Sequence, residues 1–120
     1  MDDSMLLPDE PCVFIKIPQS FESAMTASEI YECVRKWWKL NPARARRCHY
    51  AIGVLRGCVI GVYEIDGWIP AGSPEIAENP KNEGRWGFHG RPAEEMGAKL
   101  LGLSVSETVN GQNPIRYWRA

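Results

Sequence analysis

No stretch of this sequence approaches the roughly 20 apolar residues that a membrane-spanning helix requires, and its start, Met1-Asp2-Asp3-Ser4, has neither the basic residues nor the apolar run of a secretory signal. A cytoplasmic location is expected. The chain also lacks a G-x-x-x-x-G-K phosphate loop, a G-x-G-x-x-G dinucleotide fingerprint, an H-E-x-x-H zinc helix and a G-x-S-x-G elbow. The enzyme classes built on those motifs are set aside. Histidine is scarce, with only His49 and His89. A metal centre would have to draw on Cys48, His49 and His89, but neighbouring residues on a strand point to opposite faces and rarely share one ion. No metal and no cofactor are expected. The four cysteines, Cys12, Cys33, Cys48 and Cys58, include no C-x-x-C pair. Cys33 and Cys58 fall in apolar patterns typical of buried free thiols, and the set reads as structural cysteines of a reducing compartment.

At 120 residues and 44% hydrophobic, the chain has room for one core and no second domain. Residues 1–11 mix acids, prolines and a short apolar patch, as a flexible tail does, so the domain is expected over 12–120. Cys12-Val13-Phe14-Ile15-Lys16-Ile17, closed by Pro18, is a short β-branched run and predicts a buried strand. Thr26-Ala27-Ser28-Glu29 has the form of a capping box, and Ile30, Val34, Trp37 and Trp38 then give the apolar stripe of a helix that Asn41-Pro42 should stop. Tyr50 to Leu55 and Cys58 to Ile65, separated by Arg56-Gly57, predict a hairpin. Gly53 and Gly61 inside those strands call for a bulge, a bend or a close backbone approach. Residues 70–84 read as a long loop, Arg85 to Gly90 as a short strand, and Pro92 as the first turn of a helix stopped by Gly102. Pro114 to Trp118 is a last strand. Strand, helix, hairpin, loop, strand, helix and strand in that order predict an α+β fold, a small, mostly antiparallel open β-barrel flanked by helices.

The net charge is only −1, so no strong long-range pull on polyanions is expected. Its distribution is uneven. From Arg35 to Tyr63 there are seven basic residues and no acid, while acids gather at Asp2, Asp3, Asp9 and Glu10 and again at Glu75, Glu78 and Glu83. A basic run of this kind fits either a solvated face or an anion-binding one. Five tryptophans exceed what so small a core needs. Trp37 and Trp38, about 100° apart on a helix, cannot both be central to the core. Trp68 and Trp86 stand beside glycines. Each fits a core corner, the commoner role for a single tryptophan, or a platform on which an unpaired base stacks while arginines hold phosphate.

The succession Tyr31-x-x-x-Arg35-x-Trp37-Trp38, Arg44-Ala45, Tyr50-Ala51, Gly57-x-x-x-x-Val62-Tyr63-x-Ile65-x-x-Trp68, Arg85-Trp86-x-Phe88 and Gln112-Asn113-Pro114-Ile115-Arg116-Tyr117 resembles a family of small uncharacterised bacterial proteins. The order of elements resembles the PUA-like superfamily, whose ASCH, EVE and YTH domains bind RNA or modified bases. The G-x-K-x-x-E-x-R signature of ASCH domains is absent, so no catalytic residue carries over. The resemblance implies a nucleic-acid or nucleotide-binding module without catalysis of its own. Arg35, Arg44 and Arg47 would contact phosphate, Trp38, Trp68 or Trp86 would stack on a base, and Asn113 would read its edge. Gly111-Gln112-Asn113-Pro114 fits equally well as a turn in which Asn113 bonds its own backbone. Two other readings stay open: a small hydrolase or nuclease using His49 or His89 with Glu64 or Asp66, and a regulatory subunit whose exposed aromatics meet a protein partner.

Overall fold

A computed structural model describes residues 7–17, 26–35, 38–70, 85–106, 108–109, 111 and 113–119. The elements are β1 (Cys12–Lys16), α1 (Ala27–Arg35), α2 (Pro42–Ala45), β2 (Tyr50–Leu55), β3 (Cys58–Pro70), β4 (Trp86–Pro92), α3 (Glu94–Leu100) and β5 (Ile115–Trp118). One sheet carries them in the order β4-β3-β2-β1-β5. The class is α+β, as expected. Three of the four pairings are antiparallel and the fourth, β1 with β2, is parallel, so the sheet is mixed. The α1–α2 segment supplies the crossover that a parallel pair requires.

The expected barrel is not closed by strand pairing. Among the described residues no ladder joins β4 to β5, because β4 pairs with the far half of β3, from Tyr63 to Pro70, and β5 is only four residues long. A strap bridges the gap instead. Trp38 exchanges two backbone hydrogen bonds of 2.9 Å with Trp86 of β4, and the Asn41 backbone bonds to the Tyr117 hydroxyl of β5, so residues 38–41 tie one edge of the sheet to the other.

Alternation along β1 separates two cores. Cys12 and Phe14 point to one face, where Ile52, Val54, Val59 and Val62 meet Leu100 of α3 together with Val105 and Val109. Val13 and Ile15 point to the other, with Ala51, Tyr63 and Phe88 against Val34 of α1 and Cys48. Burial on both faces explains why β1 reads as a continuous apolar run, each large side chain contributing roughly 1.5–3 kcal/mol. The capping box forms as predicted: Glu29 N donates to Thr26 Oγ1 at 3.2 Å and Thr26 N to Glu29 Oε1 at 3.1 Å, holding the Glu29 carboxyl below its usual range. The hairpin also forms, with Arg56 at φ 52° and Gly57 at φ 79° giving the paired positive dihedrals of a type I′ turn.

Several boundaries differ from expectation. Asn41-Pro42 does not end the first helix: α1 stops at Arg35, Trp38 bridges to Trp86, and Asn41 caps α2, its side chain accepting from the Ala43 and Arg44 amides with Pro42 in the first turn. Pro92 ends β4, and α3 begins at Glu94. The strand after the hairpin turn continues to Pro70, beyond the expected Ile65. Leu7 packs in the first core and the Pro8 carbonyl accepts from the Trp118 indole at 3.0 Å, so packed structure begins before Cys12. Trp37 and nearly all of the expected 70–84 loop lie outside the described residues. Among the described residues no helix is long and apolar enough to cross a membrane.

Candidate functional site

The acid-free segment places its arginines by way of α2. Asn41 and Pro42 start this one-turn helix, and the chain then turns so that Ala45 and Cys48 are buried while Arg44, Arg46 and Arg47 are exposed. Inward residues three apart and outward residues between them are what a single helical turn against a sheet dictates. The turn is anchored by Trp68, whose indole N–H donates to the Ala45 carbonyl at 3.0 Å. The Arg46 guanidinium lies over the Trp86 ring at 5.6 Å, and that of Arg44 over the Tyr117 ring at 4.2 Å. The Tyr117 hydroxyl accepts from Asn41 N at 2.9 Å and donates to Asn41 O at 3.3 Å, and burial pushes its pKa up.

Of the residues singled out from the sequence, Trp38, Arg44, Arg47, Trp68 and Trp86 gather around α2 at one end of the sheet. All three indoles are half-buried: they serve the core and leave part of their surface accessible. Arg35 and Asn113 do not join them. Arg35 is only 8% exposed, and its guanidinium donates to the Phe88 carbonyl at 3.0 Å, to Glu32 at 3.3 Å and to His89 Nδ1 at 3.2 Å. It clamps α1 to β4. Asn113 Oδ1 accepts from Ile115 N at 2.9 Å, the self-bonding turn. It precedes β5, on the side where Ile115 pairs with Ile15, whereas Tyr117 pairs with Val13 towards the other end of β1. Sequence reasoning missed Arg46 and Tyr117 as members of the cluster. Arg46 could have been found from the arginine spacing within one helical turn; Tyr117 comes from the last strand and is placed by the β1–β5 pairing.

A second polar cluster lies on β3 and β4. Arg91 bonds Glu64 at 3.2 Å and Asp66 at 2.6 Å, and His49 Nε2 stands 3.7 Å from Glu64. Glu64 and Arg91 line a cavity of about 370 Å³ with Tyr50, Glu94 and Glu95. A separation of 3.7 Å suits an ion pair when His49 is protonated and is longer than the reach of direct proton transfer. His89 faces the Arg35 guanidinium, which can only donate, so its Nδ1 acts as the acceptor there.

Among the described residues no group of three His, Cys, Asp or Glu side chains could hold a metal. All four cysteines are free thiols. Cys33 is half-buried and Cys58 exposed, against the burial expected for both, because Cys58 opens β3 at the hairpin turn where one flank faces solvent. Cys12 and Cys48 are the buried pair, and desolvation pushes their thiols up to about 12 and about 11, so both are protonated and unreactive at neutral pH. No protein-family model matches the chain, and no curated protein or solved structure matches it either; the α2 cluster of arginines and aromatic rings is the arrangement from which a function is read.

Proposed function

We propose that this domain is a nucleic-acid or nucleotide-binding module without catalysis of its own, in which Arg44, Arg46 and Arg47 engage phosphate and Trp86, backed by Trp38 and Trp68, stacks a base. The observation that carries the reading is Arg46 lying 5.6 Å over Trp86, with exposed Arg47 next to it. A guanidinium lying on a ring uses its face and leaves N–H edges for phosphate oxygens, while the remaining ring surface offers a base roughly 1–3 kcal/mol of stacking. Because net charge is −1, attraction would be local, so affinity rests on this turn and falls steeply with salt. A PUA-like open barrel of the ASCH, EVE and YTH type is the architecture we propose for it, supported by the strap that joins the two sheet edges. Arg35 and Asn113, engaged in contacts of their own, take no part in this reading.

Titration of intrinsic tryptophan fluorescence with mixed single-stranded RNA and DNA oligonucleotides, at low and physiological salt, tests it. Saturable quenching that weakens with salt and with Arg47→Ala is the expected result. No change with any oligonucleotide at low salt would overturn the proposal.

One observation favours a second reading, a His-dependent hydrolase: His49 stands 3.7 Å from Glu64 beside the polar cavity. His49→Ala abolishes nuclease turnover under that reading and leaves oligonucleotide binding unchanged under the first.

A further inference from the structure

A second concavity lies away from the arginine cluster. It has a volume of about 650 Å³ and opens between the first turn of α1, the middle of β3, the end of β4 and the outer side of α3. Along β4 its wall at Gly90 is four residues, about 13 Å, from Trp86. The walls are apolar, with Ile30, Ile60, Pro92, Ala98 and Leu101 among them, and Gly61, Gly90 and Gly97 leave bare backbone where side chains would otherwise fill the space. Gly61 and Gly90 are constrained, whereas a Cβ on Gly97 would meet only Leu101 at 3.8 Å. A Cβ on Gly61 would lie 2.7 Å from the Tyr63 hydroxyl, and one on Gly90 would overlap the Glu64 carbonyl.

Tyr63 makes this more than a gap in the packing. The residue is only 5% exposed and lines the cavity, yet its hydroxyl has no hydrogen-bond partner among the described residues. Its neighbour Tyr31 has two, donating to Gly90 O at 3.1 Å and accepting from Gly90 N at 3.0 Å. Because no buried side-chain oxygen or nitrogen among the described residues lacks a partner, this hydroxyl is reached from the cavity, where a bound molecule can bond it. At the rim, Glu94 is the one charged residue lining the space among those described, and it makes no ion pair among them.

From these observations we infer that the cavity is a binding site for a small, largely hydrocarbon or aromatic molecule that bonds the Tyr63 hydroxyl through one polar atom and carries no negative charge. The volume falls in the range of small-molecule sites, and an apolar lining with a few convergent polar groups is their usual composition. The Glu94 carboxylate opposes an anionic ligand and favours one with an amine at the rim. Nucleotides and other phosphorylated molecules are therefore disfavoured in this cavity, whose lining shares no residue with the arginine cluster.

Three probes with one aromatic body and different charges test the inference: indole, tryptamine and indole-3-acetate, each titrated into the ¹⁵N-labelled full chain and followed by amide chemical shifts. Shifts are expected at Gly61, Gly90 and Gly97, with tryptamine binding tightest and indole-3-acetate weakest. Tyr63→Phe should weaken indole about fivefold, Glu94→Gln should remove the difference between the two charged probes, and Ala98→Trp should abolish the shifts by filling the space. Variants are compared only where their amide spectra remain folded, and Ala98→Trp, on the exposed side of α3, serves if Tyr63→Phe is not. The inference is overturned if no probe moves these amides at millimolar concentration, if indole-3-acetate binds best, or if the shifts survive Ala98→Trp. It is equally overturned if the same amides shift on simple dilution of the protein, which would make the occupant a second copy of the chain.

Discussion

Val34 of α1 stands so close to Gly53 of β2 that a methyl group built on the glycine would lie 2.6 Å from Val34 Cγ2. The helix rests directly on the strand backbone. Gly53→Ala should therefore destabilise the domain by about 1–3 kcal/mol through overpacking. Val34→Ala should recover part of that loss in the double variant. Urea denaturation of the four members of this cycle measures the coupling, and additive effects would contradict direct contact.

Arg35 provides a contrasting case. Its removal leaves the Phe88 carbonyl without its donor, so Arg35→Ala should cost about 1–3 kcal/mol. Arg35→Lys should not restore it, because an ammonium cannot reproduce a fork that reaches Phe88, Glu32 and His89 together. Oligonucleotide affinity of the folded fraction should be unchanged by either substitution. A stability loss together with a parallel loss of affinity would instead place Arg35 in the interface.

Local signals were the legible part of the sequence. The capping box at Thr26 and Glu29 and the hairpin about Arg56-Gly57 depend on neighbours within a few residues, and both form where expected. The last strand and the short one from Trp86 were visible for the same reason, as β-branched or aromatic runs bounded by turn residues. Non-local features were not legible. That β1 pairs in parallel with β2, or that α1 stops at Arg35 and Asn41 opens a new helix, depends on where the sheet receives the chain. The site followed the same division. Residue types pointed to Arg44, Arg47 and the tryptophans, whereas Tyr117 reaches them only through pairing of β5 with β1.

Phosphate contacts have a signature of their own. Arg46→Ala and Arg47→Ala should each weaken binding of every oligonucleotide to a similar extent and lower the slope of log K against log salt by about 1. Equilibrium titrations at four salt concentrations measure it. An unchanged slope in both variants would remove these side chains from the interface.

Alkaline pH should unfold the domain through its buried acids. Burial holds the Cys12 thiol and Tyr63 phenol near 12 and the Cys48 thiol near 11 in the native state, above the values of an unfolded chain. The unfolded state thus releases protons first. Stability is fully present below about pH 8.5 and falls as pH rises through about 9 to 12. Urea midpoints between pH 7 and 11 should trace that decline, and Cys48→Ala should make it shallower.

Arg56 occupies a left-handed backbone conformation that an ordinary side chain enters at a cost of about 1 kcal/mol. Arg56→Asn should create the favoured Asn-Gly pair of a type I′ turn and raise the thermal midpoint by a few degrees. A lower midpoint would mean that the arginine's own contacts outweigh the backbone strain.

The interior position of β1, between β2 and β5, has a consequence during synthesis. Its second hydrogen-bonding edge is filled by β5, with Cys12 opposite Trp118, and the Trp118 indole reaches a carbonyl 110 positions earlier in the chain. At roughly 5–20 residues per second, a nascent chain carries Cys-Val-Phe-Ile with that edge open for roughly 5–20 seconds before its partner is made. Lys16 is the single charge in the strand. During that interval the segment is a template for pairing with any other extended chain, so the yield of folded protein should depend on how crowded and how slow its translation is.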